Sequence, residues 1–434
     1  MKLDKSKGLT QWLKDNFVVV FFFILAVLCY FVSGVAPAVF LQEIVSRFQR
    51  NAFLILALII PVVAGLGLNF GMVIGAIAGQ IGILFSIGFG FTGISSFLMA
   101  CLISTPLAIL FGWMVGLVLN KTKGNEMITS MILGYLANGV YQLVFLVLVG
   151  RFIPFPDKDM LINTGIGIRS SLGFDGSLKY SLTNLIKCDF GQFTLIAAVV
   201  ALVVVIALVV RASMKKEKIK VSFWIKSVLA VGIPAVLYIL YLSNQTVQFT
   251  FKFSKVSISI LLTIFALAGF NTWIMKTKLG HDFRAVGQNR VIAEVAGINV
   301  DRTRIIAMVI STVLAGFGQI IRLQDIGTIN TYQSHEQIAV TSIAAILVGG
   351  ATVAKATNRQ AFIGVLLFHA IFVVSPQVGT SLFADAQVGE FFRNFLGYGI
   401  IFVALAMNAK QQIMEQNARI GNVRPPKTKN IKKI

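Results

Sequence analysis

The chain has 434 residues, of which 56% are hydrophobic and 13% are charged, and its formal net charge is +21 at pH 7. Soluble domains carry about a quarter charged residues, so this composition excludes a soluble globule and indicates a polytopic membrane protein. A charge this high would favour nucleic-acid binding in a soluble protein. The distribution of the basic residues along the chain must therefore decide what the charge means.

Apolar runs long enough to cross a membrane recur along the whole chain. A helix needs about 20 residues to cross a hydrocarbon core of about 30 Å. Two shorter runs, 337–350 and 360–375, are further candidates. We predict an all-α, polytopic transmembrane helix bundle over residues 17–408, with about 10–12 membrane segments. The longer runs lie at residues 17–40, 52–70, 72–90, 94–119, 128–149, 193–211, 222–242, 256–275, 303–322 and 391–408.

The basic residues divide unequally between the two sides that this alternation implies. With the N-terminus in the cytoplasm, 27 of the 38 Lys and Arg residues fall on the cytoplasmic side and 11 on the outer side, whereas the 17 Asp and Glu residues divide into eight and nine. Such a bias of Lys and Arg sets membrane orientation. We therefore predict a basic cytoplasmic anchor at 1–16, a basic cytoplasmic tail at 409–434, and no nucleic-acid partner.

A glycine-rich stretch, 61–93, contains the boundary between the second and third runs. Glycine recurs at every fourth position of 67–79, a spacing that lets two helices approach closely. Asn69 and Gln80 are polar side chains in this apolar sequence, and broken helices at membrane depth are tolerated where they are buried in protein or line a watery cavity. Two interpretations stay open, a helix-packing stripe and a discontinuous element beside a solute pathway.

The fifth run carries polar side chains on one helical face. Tyr135, Asn138 and Gln142 follow the spacing i, i+3, i+7, which places them on the same side of a helix. This face packs on a neighbouring helix or lines a pathway.

An external loop of about forty residues follows at 150–192, rich in proline and glycine. Loops of this length usually have a role or are disordered. We expect an outer lid or a landing surface for an extracytoplasmic partner.

The longest polar segment of the second half is 276–304, between two apolar runs. Within it Val286, Val291, Ile292 and Val295 recur at roughly helical spacing, which predicts a short amphipathic helix outside the bilayer, at about 288–297. A solvated loop is the default between spans, and a docking surface for a soluble partner is the alternative.

A second broken region is predicted at 337–375. The run from Ile338 to Val348 is too short to cross alone, and glycine and charged residues interrupt the sequence before the next run. Two short or glycine-interrupted membrane segments in different halves point to a central transport site. The candidate pathway residues are Asn69, Gln80, Tyr135, Asn138, Gln142, Asn271, Gln319 and His369.

Motifs for catalysis and for ATP binding are absent from the sequence. It has no GxxxxGK[ST] or HExxH string, and its three cysteines are scattered without metal or redox spacing. We expect no enzymatic activity, no metal and no cofactor. We also expect every carboxylate to lie outside the apolar centres of the spans, which argues against an ion-coupled carrier and favours energy supplied by another protein.

Two motifs resemble one family of transport proteins. FRAVGQN at 283–289, followed by Ala293 and by GINV at 297–300, resembles the cytoplasmic coupling signature of ribose- and nucleoside-type ABC importer permeases, a group that includes branched-chain amino acid permeases. IAAILVGGA at 343–351 is similar to their other recurrent motif. Asn69 and its glycines stand where these permeases have a broken second helix, and the resemblance covers roughly 50–375.

The resemblance implies an importer in a bacterial cytoplasmic (inner) membrane. It would contain two permease subunits, identical or different, two cytoplasmic ATPases that bind the ATP, and an external solute-binding protein, and it would carry a small polar solute, a nucleoside or a simple sugar. The extra sequence around 212–255 departs from the family pattern and leaves the solute open. The residues implied to couple to the ATPases are Arg284, Gly287, Asn289, Arg290, Ala293, Glu294, Gly297 and Ile298.

Two other functional classes are kept as alternatives. One is a secondary carrier or channel for a small solute, and the other is a membrane-embedded enzyme or scaffold.

Overall fold

A computed structural model describes residues 16–122, 124–163, 165–214 and 221–421. Most of the anchor predicted at 1–16, and the tail beyond 421, lie outside the described residues. The helices are α1 (Phe17–Ser33), α2 (Pro37–Ala57), α3 (Ile59–Val63), α4 (Met72–Gly88), α5 (Gly93–Lys121), α6 (Glu126–Leu143, continued by a π-helical turn Val144–Leu148), α7 (Phe190–Met214), α8 (Val221–Ser243), α9 (Gln245–Phe253), α10 (Ile258–Ile274), α11 (Lys278–Gln288), α12 (Arg290–Val295), α13 (Val300–Ile326), α14 (Glu336–Val348), α15 (Asn358–Phe383) and α16 (Ala386–Gly421).

The described helices match the predicted architecture. Seven spans are long and apolar enough to cross a membrane, two bent pairs (α8 with α9, α10 with α11) each supply another, and α1, α4 and α14 are shorter apolar helices. Seven, two and three make twelve apolar segments within the described ranges, so the predicted all-α polytopic bundle is confirmed. Part of the predicted tail is also helical, because α16 continues to Gly421.

The second span begins earlier than the sequence predicts. We predicted it at 52–70, but α2 begins at Pro37 and α3 continues it to Val63. The first half of α2 is rich in polar residues, so its hydropathy does not indicate a membrane span. These polar side chains have partners inside the protein. Gln49, for example, is 4% exposed and accepts a hydrogen bond from the Ser257 backbone nitrogen at 2.8 Å.

The helix α13 packs in the core and makes its most extensive contacts with α5 and α4. The glycine stripe faces this contact. A Cβ on Gly75 would lie 2.3 Å from the Thr312 carbonyl oxygen, and a Cβ on Gly79 would lie 2.5 Å from that of Gly316. The packing interpretation of the stripe therefore holds on this face, because any side chain there would separate the two helices.

Both predicted breaks are present. Residues 64–71 separate α3 from α4, and residues 349–357 separate α14 from α15. Gly65 and Gly67 in the first break, and Gly350 in the second, have positive φ angles, which glycine adopts without steric cost. The glycines thus end helices in mid-sequence where other residues would be strained.

The predicted external loop forms a small folded unit with later parts of the chain. Its strands β1 (Ser171–Gly173) and β2 (Lys187–Asp189) pair antiparallel with β4 (Thr328–Asn330) and β3 (Lys255–Ser257), respectively. Within the register Leu172 pairs with Ile329. The loop is therefore attached to the segments that precede α10 and follow α13.

Candidate functional site

The short segment before α14 brings polar side chains from three helices together. His335 precedes α14, and its Nδ1 lies 2.7 Å from Oε1 of Gln80 on α4, while its Nε2 lies 2.8 Å from Oδ1 of Asn138 on α6. Asn138 Nδ2 donates to Glu336 Oε1 at 2.7 Å, and Gln142 Nε2 donates to Asn138 Oδ1 at 3.2 Å. We call these five residues the polar cluster.

The contacts of Asn138 determine which ring nitrogen of His335 carries a proton. Asn138 uses its amide nitrogen on Glu336, so its oxygen must accept from His335 Nε2. The His335 ring is also held by Tyr141, whose ring meets it edge-on at 5.1 Å between centroids. A neutral imidazole with its proton on Nε2 presents Nδ1 as an acceptor, so its contact with Gln80 is a hydrogen bond when the Gln80 amide is oriented to donate its Nε2. The cluster therefore offers both donors and acceptors at one place in the fold.

The polar cluster lies level with the middle of the apolar helical segment Glu126–Leu148, which is long enough to cross a membrane. Asn138 follows Glu126, the first residue of α6, by 12 residues, or about 18 Å at 1.5 Å per residue. Glu336 is hydrogen-bonded to Asn138, so its carboxylate lies at the same depth. Glu336 is the first residue of the 13-residue α14, so the expectation that every carboxylate lies outside the apolar centres of the spans stays a prediction.

The cluster has a closed side and an open side. Gln80 is fully buried and His335 is 0% exposed, whereas Glu336 is exposed and Asn138 is half-buried. Tyr135, one turn before Asn138 on α6, is exposed too. Ionisable groups within a membrane usually mark solute or ion pathways. A polar solute could reach Glu336 and Asn138 from the open side.

The cluster continues towards α13 through one carbonyl group. Gln319 Nε2 and Arg322 Nη1 donate to the Ser334 backbone oxygen at 3.3 and 3.2 Å. Ser334 is the residue before His335. Gln319, a predicted pathway residue, is therefore next to the polar cluster and buried behind it.

The structure does not bring the other predicted pathway residues to this place. Asn69 is 1% exposed, and its side chain accepts from Gly71 N at 2.9 Å within the first break. Asn271 is 2% exposed and donates to the Leu56 carbonyl oxygen at 3.0 Å. His369 lines a separate cavity. A pathway role for these residues stays a prediction.

Sequence reasoning missed His335 and Glu336. The predicted topology counts Glu336 among the nine acidic residues of the outer side, and His335 is not among the candidate residues. The signal was the shortness of the apolar run that follows this pair: a 13-residue helix covers only about 20 Å, so one of its ends must lie inside the bilayer.

The polar segment 276–304 contains two helices, α11 and α12, and the second replaces the single helix predicted at 288–297. Asn289 separates them in extended conformation, and its side chain caps α12 by accepting from Ile292 N at 3.1 Å. Gly297 has a φ of +82° after α12. Asn299 then caps α13 by accepting from Arg302 N at 2.9 Å.

Glycine joins α11 to the first helix break. A Cβ on Gly65 would lie 2.8 Å from Gly287 Cα, and a Cβ on Gly287 would lie 2.0 Å from the Val63 carbonyl oxygen. Arg290, at the start of α12, donates to the Gly65 carbonyl oxygen at 3.2 Å. The polar segment is therefore fixed to the break between α3 and α4 by direct backbone contact.

Glu126 connects the same region to α6 and α13. It forms ion pairs with Arg290 and with Arg304, the latter at 2.8 Å, and it accepts from Gly124 N at 3.1 Å. The Arg304 side chain is 0% exposed. Breaking such a buried pair leaves an unpaired charge, so this ion-pair cluster holds the starts of α6, α12 and α13 together.

One face of α12 is apolar and exposed. Val291, Ile292 and Val295 are 70%, 66% and 85% exposed, and we call them the apolar triad. Glu294 and Gly297 lie on the exposed surface beside it, and Ile298 is half-buried.

Other residues predicted to couple to the ATPases lie against other parts of this chain instead. Ala293 is 2% exposed and packs with Val286 and Val300, and Gly287 and Arg290 are engaged as described above. Arg284 Nη1 donates to the Met275 carbonyl oxygen at 2.7 Å. The helical turn points Ala293 towards Val300 at the start of α13. A coupling role for these residues stays a prediction.

Comparisons with known proteins match the second half of the chain. Residues 243–405 match the family described as branched-chain amino acid transport system / permease component. This range contains the 283–300 and 343–351 motifs, so the resemblance predicted from them is confirmed. No solved structure gives a significant match.

Two curated proteins are similar to parts of the chain. The Probable ABC transporter permease protein YphD of Escherichia coli (strain K12) is 32% identical over 157 residues, which are 36% of this chain and 45% of that protein. The Nucleoside ABC transporter permease protein NupB of Lactococcus lactis subsp. cremoris (strain MG1363) is 38% identical over 68 residues, or 16% of this chain and 19% of that protein. The chain thus spans less than half the length of either relative. Its helical fold, its apolar spans and these matches make it a multi-pass membrane protein whose residues 243–405 match a family of transport-system permease components.

Proposed function

We propose that this chain is the membrane-spanning permease subunit of an ABC importer for a small polar solute, a nucleoside or a simple sugar. The relatives are described as permeases, one of them for nucleosides. The proposal includes cytoplasmic ATPase subunits that bind the ATP, a second permease, the same or different, and an extracytoplasmic solute-binding protein. It also places the chain in a bacterial inner membrane with cytoplasmic termini.

The observation that carries the proposal is the construction of the α11–α12 unit. Its outer face presents the apolar triad, and exposed apolar patches rimmed by polar residues mark protein interaction sites. Its inner face is joined through Gly287 to the break before α4 and through Arg290 to the start of α6. An ATPase that pushes on the triad would move α4 and α6, which carry Gln80 and Asn138.

The solute would pass the polar cluster on its way through the membrane. The exposed Glu336 carboxylate and the half-buried Asn138 amide suit the hydroxyl groups of a sugar or ribose, which need both donors and acceptors. Displacement of α6 relative to α14 would separate these two side chains. Solute affinity would therefore change with the state of the ATPases.

One observation favours the alternative of a secondary carrier. Glu336 is an exposed carboxylate at mid-membrane depth beside His335, and proton- and ion-coupled carriers use such residues. The family match favours the ABC importer, in which Glu336 serves as a hydrogen-bond acceptor for the solute.

Reconstitution into proteoliposomes tests the two mechanisms. We expect uptake of a labelled nucleoside or pentose to require co-reconstituted ATPase subunits, the binding protein and ATP. The matched control is the chain alone with an imposed proton or sodium gradient. Uptake driven by the gradient without ATPase subunits would refute the proposal and support the carrier.

A further inference from the structure

A second cavity, separate from the polar cluster, lies between α2, α13, α14, α15 and α16 and has a volume of about 290 Å³. Its lining includes three arginines, Arg47, Arg322 and Arg393, and contains no carboxylate. We predicted Arg47 between two spans, Arg322 at a span end and Arg393 within the run 391–408. In the structure α2 extends ten residues before Arg47, and Arg322 lies inside α13. A cationic cavity within a membrane protein needs a compensating partner.

The carboxylates near the cavity compensate only part of this charge. Arg47 pairs with Glu43 at 3.3 Å and Arg393 with Glu390 at 2.5 Å. Both carboxylates lie one helical turn from their partners and are the more exposed members of the pairs. Arg322 donates to the Ser334 carbonyl oxygen and has no carboxylate partner among the described residues. The cavity therefore carries excess positive charge at Arg322.

Two of the guanidinium groups lie over the same aromatic ring. The Cζ atoms of Arg47 and Arg393 each lie 5.3 Å from the centroid of the Phe372 ring. Attraction between cation and ring holds each group in place, whereas the two like charges repel. An anion in the cavity would relieve this repulsion.

An unpaired histidine also lines the cavity. His369 is 4% exposed, and neither of its ring nitrogens has a hydrogen-bond partner among the described residues. Buried polar groups in proteins are nearly always hydrogen-bonded, so each exception indicates a missing partner. A ligand oxygen in the cavity would supply it.

We propose that this cavity binds the phosphate group of a phosphate ester, held by Arg47, Arg322, Arg393 and His369. Guanidinium groups bind phosphate oxygens through paired, charge-assisted hydrogen bonds. The ester is either a phosphorylated small solute or the headgroup of an anionic phospholipid. If the ester is a solute, the proposal rests on the proposed function, and the imported compound would be a nucleotide or a sugar phosphate.

Binding to the purified, delipidated full-length chain in detergent tests this proposal. The probes are uridine 5′-monophosphate against uridine, and phosphatidylglycerol against phosphatidylcholine in mixed micelles. We expect at least tenfold tighter binding of the nucleotide than of the nucleoside, or of phosphatidylglycerol than of phosphatidylcholine. A preference for the nucleotide assigns the site to a solute phosphate, and a preference for phosphatidylglycerol assigns it to a lipid headgroup. Absence of both preferences overturns the proposal.

Substitutions then assign the site. Arg322→Gln should weaken the preferred probe at least tenfold, and Arg322→Lys should weaken it less because the charge remains. Arg393→Gln is the second variant if Arg322→Gln does not fold. Arg151→Gln is the matched control, since Arg151 is exposed in the 150–192 unit, beside Phe152. Equal binding by the parent chain and by folded Arg322→Gln or Arg393→Gln refutes the assignment.

The two proposals fail in different ways. If the phosphate probes do not bind but ATP still drives uridine uptake by the assembled transporter, only the phosphate site is wrong. If uridine 5′-monophosphate binds through Arg322 but ATP and the ATPase subunits drive no uptake, the importer is wrong and the site stands.

Discussion

The backbone of Gly287 lies directly against the backbone of Gly65, with the Gly287 Cα only 2.8 Å from where a Cβ on Gly65 would be. Gly287 belongs to α11, next to the exposed apolar triad, and Gly65 belongs to the break that precedes α4. No side chain separates these two elements. A displacement of α11 must therefore displace the break, which is the mechanical connection that the proposed importer needs.

Substitution of Gly287 should uncouple this connection. A Cβ at residue 287 would lie 2.0 Å from the Val63 carbonyl oxygen, so we expect Gly287→Ala to separate α11 from the break. In the reconstituted transporter, solute-stimulated ATP hydrolysis should fall at least tenfold. Gly269→Ala is the control, because a Cβ there meets no atom within 4 Å. Full stimulation of the Gly287→Ala protein would contradict the proposed connection.

The apolar triad should bind the ATPase subunits. Val295 is 85% exposed, and a charge at this position would have to be desolvated in an apolar contact. We expect Val295→Asp to reduce co-purification of the ATPase subunits at least tenfold. Leu185→Asp places the same charge on an exposed leucine of the 150–192 unit and should leave co-purification unchanged. Equal recovery with both variants would exclude the triad as the docking surface.

The ion pairs of Glu126 should matter for stability. Glu126→Gln leaves the buried Arg304 guanidinium without its carboxylate, and breaking a buried pair costs about 3 kcal/mol or more. We expect a lower Tm for the purified protein. Adding Arg304→Met should recover part of the loss, because no buried charge then lacks a partner.

The control for this pair is Asp175→Asn, which removes the exposed partner of Lys179. Exposed pairs contribute little, so the Tm should not change. If Glu126→Gln and Asp175→Asn have the same Tm, the Glu126 cluster does not hold the helix starts together.

Asn138 and Asn271 were both predicted to line the pathway, but substitution of each should have a different effect. Asn138 reaches the open side of the polar cluster, so Asn138→Ala should reduce solute uptake at least tenfold with little change in Tm. Asn271 is buried and holds α10 to α2 through the Leu56 carbonyl oxygen, so Asn271→Ala should lower the Tm and leave the KM for uptake unchanged. Uptake kinetics and thermal unfolding of both variants check this. The opposite result would move the pathway to Asn271.

Cysteine labelling tests the predicted orientation. We expect a membrane-impermeant maleimide to label Asp175→Cys in intact cells, and to label Val295→Cys only after lysis, since the proposed topology puts these exposed residues on opposite sides. The native Cys188 gives a slow background, because burial raises the pKa of its thiol and the thiolate is the reactive form. Labelling of Val295→Cys in intact cells would reverse the orientation.

Local sequence was enough to predict the fold class, a range of about 10–12 apolar segments and the regions of both helix breaks. These features follow from local composition: a helix that crosses lipid must be apolar over about 20 residues, and the glycines with positive φ in the two breaks end a helix. The family resemblance was equally visible, because its motifs are continuous in sequence around 283–300 and 343–351.

Only the tertiary structure decided which polar residues meet. Gln80, Asn138 and Glu336 are far apart in the chain, and the sequence placed Glu336 outside the bilayer because it precedes an apolar run. It also placed Arg47 outside, because the polar half of α2 does not look like a membrane span. Glu336 accepts from Asn138 of α6, and Arg47 lies over the Phe372 ring of α15 as well as pairing with Glu43 of its own helix. Helix packing supplies the contacts with other helices, which local hydropathy cannot show.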